Sequence, residues 1–141
     1  MAARYPIVVN NNTIQELQTG DSLILSANAT MTNPIVTDYT ETVYTANTGS
    51  AITISLSNGT IQKLTANAST TITLPSSSAG KSFIIILTYS GTNTVAWSGG
   101  SSIKWPGNTT PTITSTAGKT DIFTFFQDGT NTYGQSFGLN Y

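Results

Sequence analysis

The chain has 141 residues, enough for one domain with a single core, and a formal net charge of −1 from five basic and six acidic side chains. Charged residues make up only 8% of it, where about 25% is usual, and Thr, Ser and Asn fill the difference. The basic residues stand singly from Arg4 to Lys119, which argues against nucleic acid as a partner, and the lack of Cys and His excludes disulfides, thiolate chemistry and the commonest general base and metal ligand.

The opening residues lack the apolar core of a secretory signal, and no run approaches the ~18 apolar residues of a membrane helix. The expectation is a protein made in a cytoplasm, without membrane insertion. The stretch YPIVV, Tyr5 to Val9, reads as a short extended arm, followed by a turn at Asn10, Asn11 and Asn12. Thr13 has a Glu three residues on, a capping pattern that predicts one helical turn through Leu17 before Gly20 and Asp21 break it. Residues 1–22 therefore read as an arm or adaptor, and 23–141 as one β-domain.

From Leu23 onward short strands and turns alternate. Strands are predicted at 42–46, 52–56, 60–64 and 71–74, with Asn58-Gly59 as a hairpin turn between the second and third. The densest apolar run, Phe83 to Leu87 (FIIIL), follows Gly80 and precedes Ser90-Gly91, too short for a helix and rich in β-branched Ile. These five side chains are worth on the order of 10 kcal/mol of burial before entropy is set against them. With apolar residues at odd and even positions, this strand is expected to be covered on both faces and to pair with 94–97 across Ser90-Gly91. Strands at 121–126 and 132–137, joined by Asp128-Gly129, finish the chain. The fold class expected is all-β: an antiparallel β-sandwich or jelly roll with a short N-terminal arm.

Motifs that could carry chemistry are weak. Ala79-Gly80-Lys81-Ser82 has the ending of a phosphate-binding loop, but Pro75 stands where its first Gly belongs and a strand follows where a helix is needed. Asp128 before Gly129 suits a turn, and Asp121 is expected at a strand edge, where a charge discourages sheet association. No spacing pairs two carboxylates for hydrolysis or builds a calcium loop. No catalytic, cofactor-binding or metal residue is expected. Trp97 is expected in the core and Trp105, before Pro106-Gly107, is expected to anchor a loop; the alternative is that Trp105 and Tyr133 offer aromatic faces to a sugar.

Three segments carry a resemblance: TITLPSSSAGKSFIIILTYSG, TVAWSGGSSIKWPGNTTPTITS and KTDIFTFFQDGTNTYGQSFGLNY. Together, over residues 70–141, they resemble β-rich domains of tailed-bacteriophage virion appendages, of tail-fibre C-terminal or capsid-decoration (cement) type. Residues 5–23 are similar to N-terminal stretches of phage and cyanophage structural proteins that attach a module to the particle. The resemblance implies a non-enzymatic virion surface module, assembled in the host cytoplasm, a homotrimer docked on other capsid or tail proteins. Attachment then falls to Tyr5, Ile7, Val8, Val9, Ile14 and Leu17. The alternative it implies is a fibre tip recognising host cell-surface glycan. Fibres of this kind carry a shaft, and the sequence shows neither room nor periodicity for a heptad, collagen-like or β-helical one.

Overall fold

The computed structural model describes residues 7–10, 13–16 and 32–141. Two compact units divide the chain, Met1–Asp38 and Tyr39–Tyr141. In the first, β1 (Ile7–Asn10) and β2 (Thr13–Glu16) form an antiparallel pair with Asn10 opposite Thr13 and Val9 opposite Ile14. The helical turn expected from Thr13 is thus a strand. One isolated turn fixes several residues for a single hydrogen bond, whereas Thr13–Glu16 finds a ready partner strand in Ile7–Asn10. Tyr5, Leu17 and Leu23 lie outside the described residues.

In the second unit β3 (Val43–Asn47), β5 (Ile61–Ala66), β7 (Lys81–Tyr89), β9 (Ile103–Lys104), β10 (Thr120–Gln127) and β11 (Thr132–Gly138) make one six-stranded sheet, in the order β3-β5-β7-β10-β11-β9. The remaining strands, β4 (Ala51–Thr53), β6 (Thr70–Leu74) and β8 (Val95–Gly99), form a three-stranded sheet in that order. Consecutive strands from β3 to β8 alternate between the two sheets, and each pairs in parallel with the strand two places on. The chain therefore winds as a coil of three rungs. The hairpins expected over this stretch are absent, and only β7-β10 and β10-β11 are antiparallel within this unit.

Two corrections follow from that winding. Asn58-Gly59 does not fold β5 back on β4: Gly59 has φ +144°, and a Cβ there would collide with the Thr42 carbonyl oxygen, so the glycine lets the loop pass under the start of β3 on its way to the other sheet. Likewise β8 is no partner of β7. It crosses to the small sheet, beside β6, and β7 pairs instead with β5 and β10. A β-helical winding, for which the sequence shows no periodicity, is thus present in short form; the rung intervals differ, from Val43 to Ile61 and from Ile61 to Ile84, so no fixed repeat marks it.

The core draws on both sheets. Phe83, Ile85, Leu87 and Tyr89 point inward from β7, with Leu64, Phe123 and Phe125 beside them and Ile54, Ile72 and Leu74 opposite. Phe83 stacks on its register partner Phe125 at 4.9 Å between ring centres. The other face of β7 is only half-buried at Ile84 and Ile86, because no second layer covers it among the described residues. A run apolar at every position implies cover on both faces; here its outer Ile residues are shielded sideways instead, by Ile61 and Ile122 on the flanking strands. Lys81 stands exposed at the start of the strand.

Candidate functional site

Sequence expectation named Trp105 and Tyr133, and the fold brings them to one cleft. β9 lies along β11 for two residues, Ile103 opposite Thr132 and Lys104 opposite Tyr133, and the chain then leaves the sheet through Trp105 into a short 3-10 turn, Pro106–Asn108. Proline supplies no amide hydrogen and fixes its own φ, so the departure is built into the sequence. The Trp105 ring folds inward, 5.7 Å from Phe125 and 5.7 Å from Trp97, both edge-on. Trp97 in turn meets Phe123 at 4.9 Å, as a core residue should.

Gly134 makes this packing possible. A Cβ at that position would lie 2.7 Å from the Trp105 ring and 2.8 Å from Phe125. An open cleft of about 660 Å³ results, lined by Trp105, Pro106, Phe126, Tyr133 and Gln135, with Lys104 at its side. Sequence reasoning missed Phe126, Gln135, Lys104 and Gly134; the one available signal was a glycine inside an otherwise alternating strand, which marks a close approach.

Tyr133 is held from the turn beneath it. Its hydroxyl donates to Asp128 Oδ2 at 3.0 Å, while Asp128 Oδ1 accepts the backbone N–H groups of Thr130 (2.7 Å) and Asn131 (2.6 Å). Those two backbone bonds, with a smaller share from Tyr133, pull the Asp128 carboxyl down to about 2, and the same contact raises the Tyr133 phenol. Gln127 and Thr132, both fully buried, brace the base of the hairpin: Gln127 Nε2 donates to Thr132 Oγ1 (3.0 Å) and to the Pro75 carbonyl (3.1 Å), and Thr132 Oγ1 donates to Gly100 O (2.8 Å). The Asp128-Gly129 hairpin expected from sequence is present, with Gln127 opposite Thr132.

No protein-family model matches the chain, no curated protein matches it, and no solved structure matches it. The reading of the cleft therefore rests on its own geometry. None of its lining residues is acidic. Aromatic faces beside a primary amide and an ammonium can stack on and hydrogen-bond a polar ligand, but they offer no carboxylate pair or activated nucleophile for its cleavage.

Asp121 corrects a further expectation. It is not at a sheet edge but fully buried on β10, between β7 and β11. It accepts from Tyr89 Oη (2.7 Å), Thr114 N (2.7 Å), Thr114 Oγ1 (2.5 Å) and Asn140 N (3.0 Å). Burial pushes its carboxyl up, but the bonds from Thr114, Asn140 and Tyr89 together outweigh that and hold it below the ordinary range. A charge on an inward position is tolerated here because four donors replace its water.

Proposed function

We propose that the chain is a non-enzymatic structural module of a tailed-bacteriophage virion surface, a capsid decoration (cement) protein or short fibre knob, built as a small two-layer β-sandwich. The observation that carries the reading is the use made of the carboxylates. The segment resembling phage appendages has only Asp121 and Asp128, and each is committed to structural hydrogen bonds, one joining β10 to β7, the Thr114 loop and the C-terminal tail, the other closing a hairpin. In this proposal residues 1–22 are the attachment arm, through Ile7, Val8, Val9 and Ile14 with Tyr5 and Leu17, and the module is a homo-oligomer, a trimer by resemblance. Immunogold labelling of assembled particles tests it: label on the capsid shell or at the tail supports the reading, and its absence from particles overturns it.

A second reading is favoured by the cleft. There the protein is a fibre tip, and Trp105 and Tyr133 stack on host cell-surface glycan with Gln135 and Lys104 as polar contacts. A glycan array read with the full chain and with Trp105→Ala tests this: retained binding in the variant, or no binding by either, rejects it.

A further inference from the structure

The large apolar side chains that the second unit leaves in water are not spread over its surface. Val43 stands on the edge strand β3 with Tyr39 just before it, and Tyr133 and Phe137 stand on β11, with Phe126 beside Tyr133 on β10 and Leu139 and Tyr141 just beyond. Between them the outer residues Ile61, Ile84, Ile86 and Ile122 are half-buried. The three-stranded sheet is different: its outer strands expose Ala51, Thr53 and Ala96. Apolar exposure is thus concentrated at two opposite edges of one sheet.

Both edges also have backbone to offer. Among the described residues β3 pairs only with β5, and β11 beyond Tyr133 has no neighbour on its β9 side, since β9 ends at Lys104. Thr132 sends its N–H to Ser102 O on that side and the Gly134 N–H closes the last bond of the β9 ladder, so by the period of two the C=O of Gly134 and the N–H and C=O of Ser136 point into the open space beyond. A register shift opposite Ile122 and Phe123 then turns Phe137 outward, 69% exposed. Neither Val43–Asn47 nor residues 134–138 contain a charge or a proline, two of the devices that keep an edge from pairing, and the register shift at Phe137 leaves Gly134 to Ser136 as the regular part of the β11 edge.

We propose that copies of this chain join head to tail, the β3 edge of one adding in parallel to the open β11 edge of the next. The direction comes from the sheet itself: β3, β5, β7 and β11 all run the same way, because β10 is antiparallel to both β7 and β11. A neighbour continuing the sheet in that direction starts its β3 beside Gly134, just past the end of β9. Glu41, two residues before β3, then arrives next to Lys104, which is exposed at that end. Different patches meet in such a contact, so an open oligomer always keeps one free β3 edge and one free β11 edge, and the assembly grows until it closes. The proposal shares with the function above only the existence of a homo-oligomer and does not depend on a place in the virion.

The test uses the full purified chain and light scattering after size exclusion, with circular dichroism as the folding control. The wild type is expected to assemble at micromolar concentration, and Val43→Lys and Phe137→Lys, both at exposed positions, are each expected to yield monomer. Mixed in equal amounts, these two variants retain one intact β3 edge and one intact β11 edge and should give a 1:1 dimer that grows no further. Should a lysine variant lose its fold, the pair Glu41→Lys and Lys104→Glu serves: each alone weakens assembly and the double variant recovers it. A monomeric wild type, an oligomer indifferent to both edges, or a mixture that stays monomeric overturns the proposal. Particle labelling is unaffected by any of these outcomes, so failure here and failure of the virion reading remain distinct.

Discussion

The Tyr89 hydroxyl donates to Asp121 Oδ2 across 2.7 Å, in a place where both residues are all but closed to water. Register sets Asp121 opposite Leu87, so Tyr89 reaches it diagonally along the β7-β10 pair. The same carboxylate binds Thr114 and Asn140, and so one buried charge fastens the loop after β9 and the C-terminal tail to the central strands.

Tyr89→Phe removes one of four donors and leaves the carboxylate under-satisfied. The expected loss is about 1–3 kcal/mol, read from chemical denaturation. Asp121→Ala strands Tyr89, Thr114 and Asn140 together and should cost more; a loss smaller than that of Tyr89→Phe would show that the network does not hold the segments.

These groups also set the pH response. Burial, then Asp121, raises the Tyr89 phenol above its ordinary value of about 10, so the folded state keeps the proton that the unfolded chain releases. Its stabilisation is complete below about pH 10 and is lost as pH rises beyond that. The melting temperature should therefore fall in alkali, less steeply in Tyr89→Phe.

Acid works in the opposite sense. Asp121 and Asp128 titrate below the ordinary carboxylate range, Asp128 at about 2, so their contribution is present above that range and disappears as pH falls through the folded values. For Asp128 the window runs from about 4 down to about 2. Asp128→Asn should flatten the acid limb of the stability curve and loosen the Tyr133 ring, which fluorescence quenching of the tyrosine would detect.

Gly134→Ala places a methyl group against Trp105 and Phe125, at 2.7 and 2.8 Å. Overpacking of this kind costs about 1–3 kcal/mol. The Trp105 emission should shift as its ring is displaced, and an unchanged spectrum with unchanged stability would contradict the packing described for the cleft floor.

Ile85→Asp puts an unpaired carboxylate in the middle of β7, at a position with no exposure. Burying it without partners exceeds what a domain of this size can absorb, so the variant should be recovered unfolded or aggregated. A soluble variant with the wild-type melting curve would remove β7 from the centre of the fold.

The sequence by itself determined where most strands of the second unit are, though it missed β9 and read β2 as a helical turn. The FIIIL run, the alternation over 71–74 and 132–137 and the Asp128-Gly129 turn are local signals, and strand propensity and turn chemistry act over a few residues. It also named Trp105 and Tyr133. What it could not contain is which strand lies beside which. Parallel and antiparallel neighbours ask for the same side-chain alternation, so the pattern that predicted hairpins at Asn58-Gly59 and Ser90-Gly91 fits equally well a coil that crosses between sheets. Asp121 shows the same limit: as an isolated acid next to Ile122 it reads as an exposed edge residue, and only the convergence of Tyr89, Thr114 and Asn140, from three distant parts of the chain, makes an inward position tolerable. The cleft, too, was tertiary, because Trp105 and Gly134 come together only after β9 has been laid along β11 and the chain has turned away at Pro106.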